Sequence, residues 1–106
     1  MAILRYADES IQKDLIKLEN KDNELYRHIK NAFMNIQEDP VCGIKIPVKL
    51  IPKILKKKYF IDNLYKYNLP NAWRLLYSLA GDRIEIIAII LGCYDHKDYN
   101  RLFNYN

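Results

Sequence analysis

Apolar positions change their spacing several times along this chain, and each change marks a different element. Ala2 to Tyr6 is a short apolar opening of strand type. Behind Asp8, which suits a helix N-cap, Ile11, Leu15, Ile16 and Leu18 recur at helical intervals. Glu9 puts an anion in the first turn, where the helix dipole favours it. Polar residues from Asn20 to Asn23 then separate this helix from a second, over about Asp22 to Gln37, whose apolar stripe is Leu25, Ile29, Ala32, Phe33 and Ile36. Asp39-Pro40 ends it, because the residue before a proline resists helical geometry. The short connection predicts an antiparallel helical hairpin.

From Val41 to Phe60 regular spacing is lost. Gly43, Pro47 and Pro52 interrupt it, and Pro52 is placed to open a short helix through Lys53-Ile54-Leu55-Lys56-Lys57-Lys58. From Ile61 onward the pattern is that of strands. Leu64 to Leu69 and Trp73 to Leu79 pair across the turn Leu69-Pro70-Asn71-Ala72. Ala80-Gly81-Asp82 makes another turn, and Arg83 to Gly92 is a near-continuous apolar run of the kind buried on both faces. The tail from Asp95 to Asn106 is polar and aromatic, with a short helix expected around Lys97 to Phe103. This order predicts an α+β fold, with two N-terminal helices packed on one face of a twisted, mostly antiparallel sheet of about four strands, in a single domain over 1–106.

Composition narrows the setting more than the function. A chain of 106 residues, half of them apolar, builds one interior and has no room for a second. A net charge of +4 and a pI near 9.0 bias it mildly toward anionic partners, whether RNA, DNA or an acidic protein. Met1 to Tyr6 is too short and too soon interrupted by charge to open a signal peptide. The longest apolar run, Ile84 to Leu91, contains Glu85 and falls short of the roughly 20 residues that a membrane span needs. The expectation is a cytoplasmic protein with no membrane partner, in which Cys42 and Cys93 are reduced thiols. Asp22, Asp39, Asp62 and Asp82 are scattered, and no glycine-rich phosphate loop or nucleophile elbow is present, so neither a metal nor a cofactor is expected.

The chemistry concentrates in the second half. In Tyr65 to Tyr77, Lys66 and Arg74 sit among aromatics on either side of the turn, and the last strand delivers the chain into Cys93-Tyr94-Asp95-His96-Lys97-Asp98-Tyr99. Lys, Arg, His and Tyr on one face would suit a phosphodiester. Cleaving RNA through its own 2′-hydroxyl needs a base, positive charge on the phosphorane and an acid for the departing 5′-oxygen. Arg74 suits the phosphorane, because a planar guanidinium engages two oxygens at once. Lys66 suits holding the phosphate, and an imidazole such as that of His96 suits proton transfer. Tyr99 or Tyr94 could donate a proton or stack on a base, and Lys56, Lys57, Lys58 and Lys97 could grip phosphates. Plainer roles stand beside each of these. Lys66 and the lysine run could be solvated, Arg74 could pair with Glu85, and His96 and His28 could be surface histidines. Tyr65, Tyr67, Trp73 and Tyr77 read as cross-strand packing rather than a base platform.

The element order, the segment Asn63-Leu64-Tyr65-Lys66-Tyr67-Asn68-Leu69-Pro70-Asn71-Ala72-Trp73-Arg74-Leu75-Leu76-Tyr77 and the tail Gly92 to Tyr99 together resemble the RelE/ParE superfamily of toxin–antitoxin toxins. The resemblance covers most of the chain. It implies a toxin held inactive by a cognate antitoxin. On the RelE branch it implies an mRNA endoribonuclease, on or off the ribosome, with Lys66, Arg74, His96 and Tyr99 as its catalytic residues. On the ParE branch it implies inhibition of DNA gyrase without a nuclease centre. A degenerate member that only binds RNA or protein is the third alternative. Asn68 stands where RelE has a second strand lysine, Tyr94 and His96 stand where RelE is rich in arginine, and Lys45 to Lys58 has no counterpart in RelE.

Overall fold

The computed structural model describes residues 1–104; Tyr105 and Asn106, the end of the expected tail, lie outside the described residues. Strand β1 (Ile3–Tyr6) is followed by the helical hairpin α1 (Glu9–Lys21) and α2 (Asn23–Glu38). The caps are the ones the sequence offers. Asp8 accepts from the Ile11 N–H and Asp22 from the Leu25 N–H, each at 3.0 Å, so each carboxylate satisfies a first-turn amide that has no partner inside its helix. The hairpin buries Ile11, Leu15, Leu25, Ile29, Ala32 and Ile36. Ile16 departs from the expected stripe and stays 47% exposed, because its position on α1 falls outside the arc set by Ile11 and Leu15.

The irregular segment contains β2 (Ile44–Lys45) and α3 (Lys53–Tyr59), with Pro52 at the N-cap of α3 as its position predicts. Three strands follow: β3 (Tyr65–Asn68), β4 (Arg74–Gly81) and β5 (Ile86–Tyr94). Helix α4 (His96–Leu102) closes the described chain. Among the described residues the sheet has five strands in the order β1-β5-β4-β3-β2, one more than expected, with β1–β5 parallel and the other pairs antiparallel. Ala80 and Gly81 continue β4 instead of turning, and β5 starts at Ile86. The Asp82 carboxylate accepts from the Ile84 and Glu85 N–H groups and closes the hairpin there, leaving Ile84 96% exposed at its tip.

Both faces of the sheet are covered, where the sequence pattern suggested one. Alternation along β4 sends Leu75 and Tyr77 to the α1–α2 side and Leu76 to the other. On that second side Leu76 packs with Ile46, Ile51, Leu55, Leu64, Leu91 and Tyr99, so α3, α4 and the loop before α3 form a second, smaller core. Tyr65 and Tyr77, opposite one another in the ladder, stack at 5.3 Å on the first side. Tyr77 donates to the Pro40 carbonyl at 2.7 Å and accepts from Gly43 N–H at 3.0 Å. A Cβ on Gly43 would lie 2.7 Å from that hydroxyl, so only glycine fits. Neither thiol is in a disulfide, and burial pushes that of the half-buried Cys93 up to about 12.

Candidate functional site

The β3–β4 hairpin sets the geometry. Asn68 lies opposite Arg74 and Lys66 opposite Leu76, so alternation puts Lys66, Asn68 and Arg74 on the face away from the α1–α2 hairpin. Strand β5 then places Tyr94 opposite Arg74 on its other side. A register shift between Leu76 and Tyr77 inserts Leu91 as an extra residue next to Gly92. Gly92 has φ +150, and a Cβ there would meet the Tyr94 ring at 2.9 Å, so the ring lies on bare backbone.

Helix α4 brings the last group. The Asp95 carboxylate accepts from the Asp98 N–H at 2.8 Å and starts the helix at His96. One turn on, Tyr99 is buried to 4% exposure against the sheet. Its ring stacks with Phe103 at 4.5 Å between centroids. The Arg74 Cζ lies 4.6 Å from the Tyr99 centroid and the Lys66 Nζ 5.8 Å, so both cations sit at one ring. Arg74 Nη1 donates to the Ala72 carbonyl at 2.8 Å, while its buried Nε has no hydrogen-bond partner. Ala72 itself takes φ +61, a left-handed conformation that costs a non-glycine residue about 1–2 kcal/mol. Among the described residues neither Lys66 nor Arg74 has a carboxylate within ion-pair distance. The suggested Arg74–Glu85 pair does not form. Arg74 faces Tyr94 at one end of β5, and Glu85 lies beyond the other end in the Asp82 turn.

Three of the four residues expected to carry the chemistry therefore meet: Lys66, Arg74 and Tyr99. His96 stays outside that cluster, exposed on the first turn of α4 with its Nε2 3.3 Å from Asn100 Nδ2. Of the residues expected to hold RNA, Tyr94 borders the cluster, and burial raises its hydroxyl above the ordinary range. It also lines a groove of about 1000 Å³ that runs past Lys49, Lys53, Lys58 and Arg101 but also past Asp14 and Asp98. Lys58 is already engaged, 3.7 Å from Asp8 and 5.3 Å from the Tyr59 ring centroid. Lys57 and Lys97 are exposed and Lys56 is half-buried. Sequence reasoning missed the Ala72 carbonyl, the Phe103 stack and the Asp95 cap. Only the cap left a signal, the Asp95-His96-Lys97-Asp98 spacing of a helix start.

No family model matches the chain, and no curated protein matches its sequence. Among solved structures, the YoeB/ParE toxin from Agrobacterium tumefaciens matches with a TM-score of 0.64, over 89% of this chain and 98% of that one. The two chains share one fold. At 18% sequence identity the likeness is one of architecture. No helix among the described residues is long and apolar enough to cross a membrane.

Proposed function

We propose that the chain is the toxin of a toxin–antitoxin pair and that it cleaves mRNA by intramolecular attack of the 2′-hydroxyl. The observation that carries this reading is the meeting of Lys66 and Arg74 at the Tyr99 ring with no carboxylate, among the described residues, to neutralise either. Two uncompensated cations from neighbouring strands form a site for an anion, and a phosphodiester is the anion with chemistry to do. The Arg74 guanidinium, steadied through Nη1 by the Ala72 carbonyl, keeps donors for the equatorial oxygens of the phosphorane. Lys66 holds the incoming phosphate. His96 lies three residues before Tyr99, on the adjacent turn of the same helix, and is exposed. It is the side chain we assign to proton transfer.

The step is balanced within the RNA. The 2′-oxygen forms a bond to phosphorus and loses its proton to a base, the bond from phosphorus to the 5′-oxygen breaks, and that oxygen takes a proton. The products are a 2′,3′-cyclic phosphate and a 5′-hydroxyl end. The likeness to a YoeB/ParE toxin supports the toxin part of the reading. An antitoxin that silences the protein would cover the Lys66–Arg74 face with acidic residues. The test is a translating extract in which mRNA ends are mapped for wild type and Arg74→Ala, with and without a metal chelator. New 5′-hydroxyl ends that persist in chelator and vanish in Arg74→Ala are expected. Intact mRNA with a response in a DNA supercoiling assay would replace this reading with gyrase inhibition.

A further inference from the structure

We infer that Tyr99 is a positioning residue, one that holds the Arg74 and Lys66 cations by its ring and takes no part in proton transfer. The inference rests on the proposed phosphodiester site and gives it a holding device. A cation can be fixed in place by a carboxylate or by an aromatic face. A carboxylate would neutralise the charge that a phosphate must meet, whereas the ring quadrupole attracts the cation and leaves its charge in place. Tyr99 has the second geometry twice over, with Arg74 Cζ at 4.6 Å and Lys66 Nζ at 5.8 Å from one centroid.

The surroundings fit holding better than proton donation. The Tyr99 side chain is 4% exposed, stacked on Phe103 and packed in the second core with Leu76 and Leu91. A ring so buried has one orientation, which is what a support needs. The Arg74 Nε is buried without an acceptor, the state expected of a guanidinium laid against a ring instead of a hydrogen-bonding partner. The remaining restraint on Arg74, its bond to the Ala72 carbonyl, comes from the turn and leaves the charge intact as well.

The test pairs Tyr99→Leu with Tyr99→Phe and reads two things. The first is the proton NMR shift of the Arg74 side chain in the folded protein, which a ring at this distance moves upfield. The second is the split of RNA cleavage between kcat and KM, with a thermal midpoint to confirm folding. Tyr99→Leu should return Arg74 to its unshifted position and lower kcat by roughly 100-fold, the scale of a misplaced catalytic group. Tyr99→Phe, which restores the ring without the hydroxyl, should recover both. An unshifted Arg74 in folded wild type would overturn the inference, as would a Tyr99→Phe protein as inactive as Arg74→Ala. Should Tyr99→Leu fail to fold, the wild-type and Tyr99→Phe shifts still decide. If wild type cuts no RNA the function reading fails separately, and the Arg74 shift by itself then tests whether Tyr99 holds the cation.

Discussion

Among the sites that set lysine or arginine against tyrosine, two differ in one ingredient. In the first, Lys58 lies over the Tyr59 ring and within 3.7 Å of Asp8, which also accepts from the Tyr59 hydroxyl at 2.8 Å. In the second, Lys66 and Arg74 lie at the Tyr99 ring with no carboxylate of the described residues beside either. The first cluster is closed, since its charge is spent joining α3 to the head of α1. The second keeps its charge, and a face that retains two cations is available to an anion. The contrast separates a basic residue that holds the fold from one that can act on a substrate, a distinction net charge cannot draw.

The largest expected effect tests the open cluster. Arg74→Ala should lower RNA cleavage on the order of 100-fold or more, the usual result of removing one preorganised charge donor. Its thermal midpoint should stay near that of wild type, since the lost guanidinium holds no ion pair among the described residues. A variant that unfolds would make Arg74 a structural residue and erase the contrast.

A second substitution separates two kinds of buried tyrosine. Tyr77 works through its hydroxyl, which joins Pro40 and Gly43. Tyr77→Phe leaves those backbone groups without their partner and should cost about 1–3 kcal/mol in denaturant melts. Burial raises the Tyr77 hydroxyl above its ordinary range, so the bond stays intact through neutral pH.

The closed cluster should be acid-sensitive. Ser10, the Ile11 N–H and Tyr59 hydrogen-bond the Asp8 carboxylate and hold it down to about 2, against an ordinary 3.8. The native state therefore binds this proton less readily than the unfolded chain. The resulting stability is fully present above about pH 4 and is lost as pH falls toward 2. The wild-type midpoint should drop across that window, and Asp8→Ala should start lower and drop less steeply. Parallel slopes would show that Asp8 does not hold the first cluster. The smallest effect concerns the turn beside the open one. Ala72→Gly relieves a positive φ and should stabilise by about 1 kcal/mol in the same melts.

Much of the fold was legible because its signals are local. The Asp8 and Asp22 caps, the Leu25-to-Ile36 stripe and the alternation on either side of Pro70 each lie within one element and its immediate flanks. What the sequence left open depends on distant partners. Strand β2 is two residues long and exists because Ile44 and Lys45 find Lys66 and Tyr65. The second core joins Ile46 and Ile51 to Leu91 and Tyr99 across the chain. The site divides in the same way. Lys66 and Arg74 share a face by alternation, which can be counted along the sequence. That Lys58 is engaged by a residue fifty positions earlier cannot be counted, and neither can the meeting of Tyr99 with the two cations and Phe103.

The central claim is that Lys66 and Arg74 form a working phosphodiester site, and the ends of cleaved mRNA test it most directly. Mapping 5′ ends after wild-type protein enters a translating extract should reveal new 5′-hydroxyl termini that Arg74→Ala does not produce. Equal cutting by the two proteins would contradict the claim, as would mRNA left whole by a wild type that still arrests growth.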